Sequence, residues 1–131
     1  MDQAPLVIDE INAGQAFVKR LHDYVPVKAA WWLRRAEQWI RNLYVAVDVS
    51  NQSDVDLAYG EVLRITREIK DDYYIDPFRV KVVSTNDPVA KAIMDSYRRF
   101  PAGIRPRFDG RVIGGVAVDE VYIYPPLPAK P

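Results

Sequence analysis

The sequence predicts one α+β domain, a mixed β-sheet packed with about three helices in the order α-β-β-α-β-α-β-β. Three observations carry that prediction. Three segments place apolar residues at helical spacing, β-rich stretches fill the gaps between them, and no Gly/Ser-rich linker divides the 131 residues. That length is near the commonest for a single domain. We expect the domain to span residues 1–124, with its helices in a single layer or on both faces of the sheet.

The first helical segment is Asp9–Tyr24, where Ile11, Gly14, Phe17, Val18 and Leu21 recur at three- and four-residue steps. Asp9 could cap it, and Asn12 with Gln15 has capping-box spacing one turn later. The stretch Pro26–Val49 admits two readings. By propensity Lys28–Asn42 makes a helix. Yet Leu43–Val49 reads as a strand, with only Asn42 between the two as a breaker. We favour a hairpin, Val25–Leu33 against Trp39–Val49, turning through Arg34–Gln38. In it Val25, Val27, Ala29, Trp31 and Leu33 share one face.

Asp54–Lys70 is a clearer helix, with Ser53 as N-cap and Val55, Ala58, Tyr59, Val62, Ile65 and Ile69 in one stripe. Phe78, Val80 and Val82 alternate with Arg79 and Lys81, the pattern of a half-buried strand. This strand and the one at Trp39–Val49 would flank the helix in a parallel βαβ crossover. Asp87-Pro88 reads as N-cap and N1 of a helix over Pro88–Phe100. Asp109-Gly110 signals a hairpin turn between Ile104–Phe108 and Arg111–Ile113. Gly114-Gly115 would bend the chain into the β-rich stretches Val116–Val118 and Val121–Tyr124. The tail 125–131, with four prolines, cannot join a ladder and is expected as an extended strap.

Composition narrows the function classes. Eighteen basic residues balance eighteen acidic ones, so no whole-molecule field draws the chain to nucleic acid or anionic lipid. The absence of cysteine excludes thiolate catalysis and cysteine-ligated metal sites. The first residues carry Asp2, Asp9 and Glu10 and lack a basic-then-apolar leader pattern. The longest apolar stretch, Leu43–Val49, is too short to span a bilayer. A cytoplasmic domain without membrane contact is the expectation.

Chemical motifs are sparse. His22 is the only histidine. It could act as a general base beside Asp23 or a distant carboxylate, but adjacent helical residues do not face each other. The bland account, an imidazole suiting the C-terminal end of a helix, is the stronger one. Asp71, Asp72 and Asp76 could hold a hard cation, yet the run lacks the calcium-loop pattern and reads as a solvated helix exit. Neither G-x-G-x-x-G nor a phosphate-binding G-x-x-x-x-G-K motif is present. No cofactor or metal is expected.

Two surfaces remain. Arg98, Arg99, Arg105, Arg107 and Arg111, interleaved with Phe100 and Phe108, have the forks and ring faces a single-strand or phosphate site would use. Their ordinary role would be dipole complement and loop solubility. Trp31 and Trp32 should point to opposite faces of the sheet, and core packing is the stronger account of them; either one left exposed beside Arg34, Arg35 and Trp39 would resemble an interface hot spot. The leading expectation is a non-catalytic binding or assembly module, as a homodimer or with another protein, acting through Trp31, Trp32 and Trp39 or the proline tail. A nucleic-acid or phosphate-binding accessory protein is the alternative. An enzyme using Asp48, Asp71, Asp72 and His22 is less favoured, because no convergent set is visible.

Overall fold

The computed structural model describes residues 8–99 and 112–128, and within them the ambiguous stretch forms a β-hairpin. Strand β1 (Val27–Arg35) runs antiparallel to β2 (Asn42–Val47), pairing Trp31 with Tyr44, Trp32 with Leu43 and Leu33 with Asn42. Every residue from Ala29 to Leu33 is buried. A strand covered on both faces reads as a continuous apolar run, which is why this one also satisfied a helical reading. The hairpin is shifted from the expected bounds. Arg34 and Arg35 continue β1 by pairing elsewhere, and Trp39 lies outside the ladder.

Helix α1 (Ile8–His22) precedes the hairpin, and helix α2 (Gln52–Ile69) follows it. The cap of α2 is Asn51, not Ser53. Asn51 Oδ1 accepts from the Asp54 N–H at 3.0 Å, while Asp54 Oδ2 accepts from the Ser50 N–H at 2.9 Å. This reciprocal box starts the helix two residues earlier than expected. Strand β3 (Val80–Ser84) pairs parallel to β2, giving the expected βαβ unit. Phe78 is not on this strand. Asp76 Oδ1 accepts from the Phe78 N–H and opens a 3-10 turn over Pro77–Arg79, which turns the ring outward.

Helix α3 (Pro88–Arg99) begins as expected, with Asp87 Oδ2 accepting from the N–H groups of Val89 and Ala90. Strand β4 (Val112–Ile113) and strand β5 (Val116–Ile123) are joined by Gly114-Gly115. Both glycines have positive φ, 57° and 83°, so they form a two-residue hairpin turn instead of a bend within a strand. The expected strand Ile104–Phe108 and the Asp109-Gly110 turn lie outside the described residues. The two short β-rich stretches merge into β5.

The strands assemble in the order β3-β2-β1-β5-β4. Helices cover both faces. Phe17, Val18 and Leu21 of α1, with Val62 and Ile65 of α2, pack on Trp32, Leu43 and Val45. On the other face Val89, Ala90 and Ile93 of α3 pack on Trp31, Ala46 and Ile123. Trp31 and Trp32 thus divide between two cores, as adjacent strand residues must. Both are buried, so neither offers a contact surface, which corrects their place among the candidate binding residues.

Two tethers finish the fold. Tyr124 Oη accepts from Trp32 Nε1–H at 2.9 Å and donates to the Ile11 carbonyl at 2.7 Å. The His22 ring bridges three segments. Its Nδ1 accepts from the Val27 N–H, so Nε2 carries the proton and donates to the Pro128 carbonyl at 2.8 Å. Both ring nitrogens are engaged with backbone, which makes His22 a structural residue. Residues 125–128 run along α1 with Leu127 against the first core, as a strap would.

Candidate protein-interaction surface

Parallel pairing of β2 and β3 puts the starts of both strands at one end of the sheet. The connections that lead into them, residues 36–41 and 70–79, therefore share that end. Arg79 Nε–H donates to the Arg41 carbonyl at 3.1 Å and joins the two. The first turn of α1 meets them there, because Glu10 pairs with Arg41.

Arg41 organises this end. It is 3% exposed and reaches Glu10 through Nη2 and Glu120 of β5 through Nη1, at 2.5 and 3.3 Å. Arg34 Nε sits 3.9 Å from the same Glu120 oxygen. A buried guanidinium is tolerable only when its donors meet acceptors, and removing one partner leaves a buried charge uncompensated. The result is a connection pinned to α1, β5 and Arg79 at its last residue. The turn behind it is held too, with the Glu37 backbone N–H and the Arg34 guanidinium Nη1 donating to Asp119 Oδ2, and Glu37 itself at φ 65°.

The segments that meet at this end carry six exposed large apolar residues: Ile8, Trp39, Ile40, Tyr73, Tyr74 and Phe78. Phe78 is 82% exposed, Tyr74 74% and Trp39 61%. Ile75, between them in sequence, is buried and anchors the 70–79 connection. Beside the aromatic rings lies a cavity of about 220 Å³, lined by Glu10, Trp32, Tyr74, Ile75, Asp76 and Arg79. Its floor is apolar and its rim carries both signs of charge.

Of the residues the sequence singled out, Trp39 is the one the structure brings to this surface. Arg98 and Arg99 are exposed at the end of α3, where Arg98 pairs with Asp95 of its own helix at 2.7 Å. Arg105, Arg107 and Arg111 lie outside the described residues. Ile40, Tyr73, Tyr74 and Phe78 were missed. A signal was present for Tyr73 and Tyr74, adjacent aromatics in an acidic connection that fits neither period, whereas Ile40 and Phe78 fell inside segments that read as strands.

Asp71 and Asp72 are exposed, and among the described residues no three His, Asp or Glu side chains are grouped to hold a metal ion. Among those residues, too, no helix is long and apolar enough to cross a membrane. Burial pushes the Tyr97 and Tyr124 hydroxyls well above the usual tyrosine range. Tyr97 donates to the Tyr124 carbonyl, so both hydroxyls serve packing. In comparisons with known proteins, no family model, curated protein or solved structure matches this chain.

Proposed function

We propose that this domain is a non-catalytic assembly module that holds a protein partner on the aromatic end of its sheet. The observation that carries the reading is that six large apolar residues are exposed on the segments that meet where buried Arg41 pins the fold. Scattered exposed apolar residues need no explanation, but a contiguous set larger than a few hundred Å² marks an interaction site. Tryptophan and tyrosine dominate the energetics of such sites, and a rigid support lowers the ordering cost of binding. The cysteine-free composition suits a reducing compartment, and we place the module in the cytoplasm.

Purified wild-type protein and a Trp39→Ala/Phe78→Ala double variant, each immobilised and exposed to native-host extract, test this reading. The wild type is expected to retain a protein that survives nuclease treatment and that the variant retains at least tenfold less. Equal retention by both proteins, or retention abolished by nuclease, overturns it.

A further inference from the structure

We infer that the partner seated on the aromatic end is a second copy of this chain, related by a two-fold axis. The inference rests on the reading of that end as an assembly surface. It names the occupant from three properties of the patch.

The first is size. Aromatic side chains present about 150–250 Å² each. Scaled by their exposure, the six residues leave roughly 800 Å² accessible, what one partner buries in an interface of standard size.

The second is charge. A two-fold contact apposes a patch to itself, so a patch of one sign would repel its copy. This end carries Glu37, Asp71, Asp72 and Asp76 together with Arg35, Lys70 and Arg79. Acidic and basic groups flank the same apolar centre, and the chain as a whole is balanced at eighteen of each. Such a rim can pair with its own rotated image, Asp76 of one copy facing the basic groups of the other.

The third is shape. Self-complementary packing needs a protrusion and a recess on one surface. Trp39 and Phe78 are largely exposed and could supply the protrusion, and the cavity of about 220 Å³ lined by Tyr74 the recess. Assembly through the β3 edge is disfavoured, because the Val82 N–H already donates to Tyr59 Oη at 3.0 Å and interrupts the row of free edge groups.

Sedimentation equilibrium of the purified full chain from about 1 to 300 μM tests the inference, with Phe78→Asp and Tyr74→Asp as variants. Both side chains are mostly solvent-exposed, so the variants should keep the wild-type circular dichroism and serve as controls for each other. The wild type is expected to approach twice the monomer mass. Each variant should raise the dissociation constant at least about thirtyfold, the size of a hot-spot loss. A wild type that stays monomeric throughout overturns the second-copy inference, as does a dimer that both variants leave intact. The assembly reading is judged separately. If the wild type is monomeric yet captures an extract protein that Phe78→Asp loses, that reading survives with another partner. If capture is indifferent to Phe78→Asp, it falls as well.

Discussion

Alanine at Gly14 should destabilise this protein, although alanine is the better helix former. In an unconstrained helix interior the change gains about 1 kcal/mol. Here a β-carbon would stand 2.8 Å from Trp32 Nε1 and closer still to Tyr124 Oη. Neither group can retreat, because Trp32 and Tyr124 are both buried in the core beneath α1. Forcing a methyl into a packed core costs about 1–3 kcal/mol. Displacing the Tyr124 hydroxyl also strains its bonds to Trp32 and Ile11, and a buried polar group left without a partner costs about 1–3 kcal/mol. Set against the helix gain, the net loss is about 3 kcal/mol. Urea unfolding followed by tryptophan fluorescence and circular dichroism would measure it. Combining Gly14→Ala with Tyr124→Phe should shrink the penalty by at least about 1 kcal/mol, since the nearest clashing atom is gone. A Gly14→Ala protein as stable as the wild type would refute the close approach of α1 to β5.

Four further outcomes are expected. Gly114→Ala should cost about 2 kcal/mol or more, because φ is 57° and the new methyl would lie 2.5 Å from the Pro88 backbone. Gly115→Asn should be milder in the same thermal melt, since space is open there and asparagine tolerates positive φ. Arg41→Ala should cost about 1.5–3 kcal/mol by removing the charged hydrogen bonds to Glu10 and Glu120, which stay partly solvated, and denaturant midpoints would show it. Alkali should unfold the protein in a defined direction. Tyrosines of the unfolded chain ionise near pH 10, whereas burial keeps Tyr97 and Tyr124 neutral in the fold to higher pH. Stability is therefore flat below about pH 10 and falls above it by about 1.4 kcal/mol per pH unit for each of the two. Ultraviolet titration should show this pair ionising only as the fold is lost. Their ionisation in a still-folded protein near pH 10 would contradict the burial.

The candidate surface was legible in part. Trp39 was singled out only as part of a tryptophan hairpin flanked by Arg34 and Arg35, and its helical spacing from Trp32, Ala36 and Leu43 suited a core position equally well. Phe78 misled. It matched the alternation of Val80 and Val82, but the aspartate two residues before it caps a 3-10 turn, and that turn ends the pleat. A periodic pattern records which residues could share a face, not where the strand begins. Gly114-Gly115 read as a bend within the chain, and positive φ at both residues makes it a two-residue hairpin turn instead.

By itself the sequence determined the element order, the Asp87-Pro88 start of α3, the apolar stripe of α2 and the opposite facing of Trp31 and Trp32. Each of these is a local matter, settled by hydrogen bonds and side-chain directions within a few residues. Only the tertiary structure decided that both tryptophans are core, that helices cover both faces, and that residues 36–41 and 70–79 meet. The reason is strand pairing. Setting β3 parallel to β2 brings together connections some thirty residues apart, and Arg41 can bridge Glu10 to Glu120 only once β5 lies beside β1. Periodicity along a chain contains no term for such neighbours, and the proposed site is made of them.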